Sequence, residues 1–241
     1  MTSPAELLAL YDSQQRLVVP EHPPAGVTFE VTDGVMRVTG RGEGFVETTQ
    51  HLSLSGGEPA DIPQRLERAG FDAQEKEAVL VGHTSDLLVA RPLPAGVVIR
   101  ETNDHNDIVG LSTMLSEVWN DDLSWLIEQL EAQLAAAPEL TVLFVAEAEG
   151  TIVSGARIEF TPGSDFAGLW GGSTAPAWQG KGIYGALAAA RAQRAQQRGV
   201  RFLQVDASPE SSPILQRRGF VEITSTTPYI WSPSAPLGTQ S

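Results

Sequence analysis

The stretch Ala175-Pro176-Ala177-Trp178-Gln179-Gly180-Lys181-Gly182-Ile183-Tyr184-Gly185-Ala186-Leu187 carries more information than any other in the chain. The pattern before it, over Phe166–Ser173, predicts a strand, and the Ala-rich pattern over Gly182–Arg198 predicts a helix stopped by Gly199. Three glycines and a lysine at a strand-to-helix junction are more than a connecting turn needs. Glycine lets a ligand approach the main chain, while a helix start offers unpaired N–H groups and the positive end of the dipole. The junction therefore reads as a cradle for phosphate.

Two other families of glycine loop compete for these residues. Gly180-Lys181-Gly182-Ile183-Tyr184-Gly185 matches the dinucleotide fingerprint G-x-G-x-x-G, and Asp206 lies near the place of its ribose-binding acid. In that fold the strand runs almost straight into the first glycine, but here Pro176, Ala177, Trp178 and Gln179 intervene. Only 35 residues follow Asp206, too few to complete a doubly wound sheet. A protein-kinase loop fails because Lys181 is the last lysine in the chain and no strand lysine follows it.

Outward from the loop the pattern is regular. Val97–Glu101 reads as a strand, Asp107–Trp119 and Leu123–Ala135 as helices, and Thr141–Ala146, Ile152–Phe160 and Phe166–Ser173 as three strands. Phe202–Val205 reads as a strand, Ser211–Arg218 as a short helix ended by Gly219, and Val221–Trp231 as a final strand pair or one long strand. Strand, Thr174-Ala175-Pro176, then Gln179-Gly180-Lys181-Gly182 opening a helix resembles the acyl-CoA loop of the GNAT superfamily of N-acetyltransferases, written Q/R-x-x-G-x-G/A. Gln179 takes its first position and Gly182 its fourth; Tyr184 stands where the last Gly or Ala is usual, and Gly185 follows. The element order from Val97 to Trp231 resembles the same superfamily. The resemblance implies an α+β fold, a mostly antiparallel mixed sheet flanked by helices, with acetyl-CoA as donor and an amine as acceptor.

Carried over position by position, the resemblance implies a CoA site of Ser173, Thr174, Ala175, Gln179, Gly180, Lys181, Gly182, Ile183, Tyr184 and Gly185. A looser second motif, Ala207–Phe220, adds Ser208 and Ser211, and places Arg217 or Arg218 near the adenosine phosphate. The family often has Tyr at the place of Leu215, proposed to protonate the departing thiolate. Leucine has no proton to give, so another hydroxyl (Tyr184, Ser211, Ser212 or Tyr229), an unassisted departure, or a binding module without activity is implied. Tyr184 is then an aromatic wall or a hydroxyl near the thioester. Glu159 and Asp206 are candidate bases for the attacking amine, with a water chain as the alternative.

Charge divides the chain. The formal net charge is −14, which argues against nucleic-acid or anionic-membrane partners. Glu101–Glu149 holds 11 acidic residues and no Lys or Arg, while Ala175–Phe220 holds 7 basic residues against Asp206 and Glu210. In the acidic segment Asp121, Asp122 and Glu128, with Trp119 and Trp125, are candidates to receive a small cationic or polar amine through ion pairing and cation–π contact.

The N-terminal residues are less regular. Ala5–Arg16 reads as a helix, Val27–Val31 and Val35–Val38 as strands joined at Asp33-Gly34, Gly44–Leu54 as a strand, Asp61–Ala69 as a helix stopped by Gly70, and Ala78–Gly82 as a strand. The Pro-rich run Ala90–Gly96 suggests a boundary. The expected organisation is a reduced GNAT-like domain over 1–90, a catalytic domain over 97–231 and a flexible tail over 232–241. Ile62–Phe71 echoes Ile214–Phe220, each a helix running into Gly-Phe, which suggests that the first segment copies part of the second.

Composition closes off other chemistries. The chain has no cysteine, so disulfides, thiol nucleophiles and Cys-ligated metals are excluded. Its four histidines show no metal-ligand spacing, and no metal is expected. His83-Thr84-Ser85-Asp86 holds triad residue types but reads as a loop, and Asp104-His105-Asn106-Asp107 reads as a helix start. With 41% hydrophobic residues, no signal-like start and no long apolar run, the expectation is a cytoplasmic monomer or homodimer.

Overall fold

The computed structural model describes residues 2–16, 18–19, 26–32, 35–40, 43–48, 62–68, 70–89 and 92–231. In chain order these form α1 (Pro4–Gln14), β1 (Val27–Thr32), β2 (Val35–Gly40), β3 (Glu43–Thr48), α2 (Ile62–Arg68), β4 (Phe71–Ala73) and β5 (Glu77–His83). There follow β6 (Val97–Thr102), α3 (His105–Trp119), α4 (Trp125–Ala136), β7 (Thr141–Ala148), β8 (Thr151–Phe160) and β9 (Phe166–Thr174). The chain continues through α5 (Ile183–Gln197), β10 (Phe202–Ala207), α6 (Ser212–Gln216), β11 (Val221–Thr226) and β12 (Tyr229–Trp231). The expected Asp33-Gly34 turn, the end of the Gly44–Leu54 strand, the helix ends at Asp61 and Ala69, and the tail over 232–241 lie outside the described residues.

Local chemistry explains several boundaries. Ser3 and Glu6 close a reciprocal capping box on α1, the Glu6 N–H donating to Ser3 Oγ at 3.3 Å and the Ser3 N–H to Glu6 Oε2 at 2.7 Å. Asp104 caps α3 by accepting from the Asn106 N–H at 2.8 Å, and Asn120, at φ 51°, ends that helix in the left-handed region. The residues 83–86 form the start of a single 3₁₀ turn, in which Asp86 Oδ2 accepts from the His83 N–H.

The main sheet has seven strands in the order β11-β5-β10-β9-β8-β7-β6, all antiparallel neighbours except the parallel pair β9 and β10. On one face α5 buries Leu187, Ala188, Ala192 and Ala195 in a cluster with Leu80, Ile158, Ala167 and Leu203. The other face is covered in two places. Leu111, Leu115 and Leu130 of α3 and α4 pack with Leu143 and Val145, while Leu7 and Tyr11 of α1 pack with Val79, Val81, Phe166 and Phe202. Between them the face carries polar side chains, and the site lies there.

The boundary drawn near residues 90–97 does not separate the strands. β5, from the segment before it, is inserted between β10 and β11, with Leu203 opposite Gly82 and Val221 opposite Val81. In return β12, from the end of the chain, pairs with β4, Trp231 standing opposite Phe71. β1, β2 and β3 form a separate antiparallel sheet. The expected final strand pair is realised as β11 and β12, which join different sheets.

Candidate active site

The parallel pairing of β9 and β10 covers only Phe166–Gly168 against Phe202–Gln204. Beyond these rows β10 stays on β5 as far as Ala207, and β9 stays on β8 as far as Thr174, so the two strands part and leave a wedge. The register of β8 and β9 shifts between Gly155 and Arg157, opposite the strand residues 171 and 172, and Gly171 takes φ 61°. A bulge thus marks one wall of the wedge.

The glycine loop closes the end of that wall. Pro176–Trp178 makes one 3₁₀ turn, and the Gln179 side-chain N–H donates to the Thr174 carbonyl at 3.0 Å, fastening the loop to the strand. Gly180 and Gly182 take φ 73° and 88°, values that other residues rarely adopt. Gly182 is the N-cap of α5 and no side chain caps the helix, which keeps its first-turn N–H groups for another acceptor. Lys181 Nζ lies 4.5 Å from the Trp178 ring centroid. The guanidinium of Arg218 occupies the space that a side chain at Gly185 would need, which places a cation on the first turn of α5.

Ser173 and Thr174 are buried and held from below: Ser154 Oγ donates to the Ser173 carbonyl at 2.6 Å and lies 2.7 Å from Thr174 Oγ1. Ala175 donates its N–H to Val153. Ser208 and Ser211 sit in the turn between β10 and α6, their hydroxyl oxygens 3.4 Å apart. Leu215 is 1% exposed within the core cluster, so it lines no open surface.

Strand alternation places both candidate bases on the polar face. Glu159 stands opposite Gly168, which stands opposite Gln204, and Asp206 follows Gln204 on the same face of β10. Their surroundings differ. Glu159 Oε1 accepts from Arg157 Nε at 2.6 Å and from Gln133 Nε2 at 3.0 Å, so its charge is already answered. Asp206 is half-buried beside the wedge. Trp119 and Trp125 are 64% and 58% exposed in the α3–α4 turn, and Asp121 and Asp122 lie exposed between them. Hydrogen bonds from Ser124 hold the Asp122 carboxyl below the ordinary range.

Three residues that the sequence did not single out lie close to these positions. Trp170 folds its indole back over Gly168, and Gln204, 4% exposed, has a side-chain oxygen without a hydrogen-bond partner among the described residues. Arg191 is buried under the bulge, donating to the carbonyls of Leu187 and Arg157. Its signal was present in the sequence: helical spacing puts Arg191 on one stripe with Leu187, Ala188 and Ala195.

A wedge between parallel strands beside an uncapped, glycine-started helix is an arrangement for holding an extended ligand with a phosphate end. The model of the acetyltransferase (GNAT) family matches residues 105–220. Residues 105–220 belong to the GNAT family. Among solved structures, a GCN5-related N-acetyltransferase from Kribbella flavida is similar over 98% of each chain at 14% identity, with TM-score 0.60. A Drosophila protein aligns over 84% of this chain and 75% of its own at 16% identity, with TM-score 0.59. A tandem GNAT protein from the clavulanic acid biosynthesis pathway aligns over 88% and 86% at 12% identity, with TM-score 0.57. No curated protein matches. At these identities the structures establish the GNAT fold alone. Among the described residues no helix is long and apolar enough to cross a membrane.

Proposed function

We propose that the protein is an N-acetyltransferase that moves the acetyl group of acetyl-CoA directly to the primary amine of a small cationic or polar molecule. The observation that carries this reading is the wedge between β9 and β10 beside the uncapped start of α5. The main chain from Gln179 to Tyr184 then holds the diphosphate, with Lys181 and Arg218 supplying positive charge. The strand end Gly172–Ala175 lies along the pantetheine arm and fixes the thioester at the bulge, and Ser208 and Ser211 border it from the β10 side. The amine enters from the polar face, where Asp206 and Glu159 are the candidate bases, Glu159 already accepting from Arg157 and Gln133. The exposed Trp119, Asp121, Asp122 and Trp125 lead a cation toward that face.

Thermal-shift measurements with acetyl-CoA, CoA and NADH test the donor, since a ligand bound only by the native state raises its stability. Stabilisation by acetyl-CoA and CoA is expected; stabilisation by NADH alone overturns the reading. Release of CoA across an amine panel then tests the transfer, and the absence of cysteine gives a thiol reagent no background from the protein. Reversing both charges in Asp121→Lys/Asp122→Lys should raise the amine KM by about tenfold, as two exposed ion pairs of ~0.5–1 kcal/mol each imply. An unchanged KM removes the acceptor assignment. Burial of Leu215 at the place of the family's acid favours one second reading, a non-catalytic acyl-CoA-binding module. Binding of acetyl-CoA with no CoA release to any amine selects it.

A further inference from the structure

Arg191 is the largest side chain that is fully buried among the described residues, and its charge meets no carboxylate there. Its Nε donates to the Leu187 carbonyl at 3.3 Å and its Nη1 to the Arg157 carbonyl at 3.3 Å, both neutral acceptors. The remaining nitrogen faces the bulge: a Cβ built on Gly172 would lie 3.7 Å from Arg191 Nη2 and 3.0 Å from Tyr184 Cε2. Tyr184 and Arg191 stand two turns apart on α5 and meet beneath the same glycine of β9. Burial pushes the Arg191 pKa down to about 10, the nearby Arg157 charge adds to this, and Tyr184 works in the opposite direction. The guanidinium therefore remains charged at neutral pH.

A cation kept in the core without a counter-charge is costly, and it suits a place where negative charge develops during turnover. The geometry also sets the polarity of its neighbour. A guanidinium only donates hydrogen bonds, so a phenol turned toward it offers its oxygen and keeps its O–H for another partner. That partner space is the wedge, where the acetyltransferase reading puts the thioester; the inference rests on that reading. Leu215 supplies no acid, and the Tyr184 ring lies against Gly172 of the bulge.

We propose that Tyr184 and Arg191 form the sulfur-binding pair of this site, Tyr184 protonating the departing thiolate and Arg191 acting as the positioning residue that holds the phenol oxygen. As the acyl–sulfur bond breaks, its electron pair goes to sulfur and the Tyr184 hydroxyl proton follows. The phenolate left behind faces the Arg191 guanidinium and regains a proton from solvent, to which the acylated amine has lost one.

Isothermal titration of CoA and desulfo-CoA into the full chain and into Tyr184→Phe, Arg191→Lys and Arg191→Met variants tests the pair without knowledge of the amine. At a pH above the ordinary thiol value of about 8.5, where CoA carries a thiolate, wild type should bind CoA about tenfold more tightly than desulfo-CoA, the worth of one charge-assisted hydrogen bond. Tyr184→Phe and Arg191→Met should bring that ratio close to one with desulfo-CoA affinity unchanged, and Arg191→Lys should restore part of it. A wild-type ratio of one overturns the proposal, as does an equal loss of both ligands in Tyr184→Phe, which a purely structural role gives. If Arg191→Met does not fold, the wild-type ratio and Tyr184→Phe still decide. Failure of wild type to bind either ligand overturns the acetyltransferase reading instead.

Discussion

At the scale of single residues, two glycines show how the same lack of a side chain serves different ends. Gly82 of β5 is covered by the ring of Phe220, itself 3% exposed, and a methyl group there would overlap the ring. Gly185 of α5 is covered by the guanidinium end of Arg218, which can swing away. Gly82→Ala should therefore cost about 1–3 kcal/mol in urea unfolding, the usual penalty of overpacking, while Gly185→Ala should cost less than ~1 kcal/mol. Equal costs would mean that the Phe220 ring is as free to move as Arg218. The glycine loop itself was legible because its residues are contiguous and their spacing encodes a backbone shape. The pairing of Glu159 with Arg157 and Gln133 was not legible, because Gln133 comes from a helix whose placement on the sheet no local pattern states. Arg191 is intermediate: the helical stripe predicts its burial, but what it meets there depends on β8 and β9.

At the scale of elements, the strands over 141–174 followed from alternation and the helices from apolar spacing, whereas the three residues of β4 are too few to show any period. Thr227 and Pro228 explain why the last segment divides: proline ends the ladder of β11, and its carbonyl accepts from the Gln74 N–H at 2.8 Å as the chain turns to β12. One junction predicts a pH effect. Arg100 of β6 bridges Asp107 of α3, with Nη2 to Oδ1 at 2.7 Å, and Glu147 of β7 at 2.8 Å, while Thr102 donates to Asp107. The Arg100 hydrogen bond holds the Asp107 carboxyl below the ordinary range; burial opposes this, and the Thr102 hydrogen bond adds to it. A lowered folded-state pKa means stability that is complete above the unfolded value of about 3.9 and is lost as pH falls through the lowered one. Acid unfolding of wild type should therefore steepen below about pH 4, and Asp107→Asn should flatten that limb while lowering stability at pH 7. Parallel acid limbs in the two proteins would show that the junction does not contribute.

At the scale of the whole molecule, the two parts of the chain hold each other by exchanged strands. The sequence echo marks the motif: α2 leads through Gly70 into Phe71 and β4, and α6 leads through Gly219 into Phe220 and β11, the two glycines at φ 86° and 93°. Each of these strands pairs with one from the other part, β4 with β12 and β11 with β5. A repeat in sequence reveals a shared motif but not which partner each copy takes, so the exchange lay beyond the sequence. Its energetic consequence is large because β5 is a central strand: Val79, Leu80 and Val81 are wholly buried and pair with both β10 and β11. Removing residues 1–96 would uncover Phe202, Leu203 and Val205 along β10 and detach β11 from the sheet, while leaving the glycine loop and α5 in the chain. The wedge needs β10 held away from β9, and β5 is the strand that holds it. A 97–241 fragment should accordingly show no cooperative thermal transition and no stabilisation by CoA, although it contains every residue assigned to the CoA site. Adding a peptide spanning 71–89 should restore both signals if the strand alone is missing. A fragment that melts cooperatively and binds CoA without the peptide would show that the C-terminal part closes its own sheet and that the exchange is dispensable.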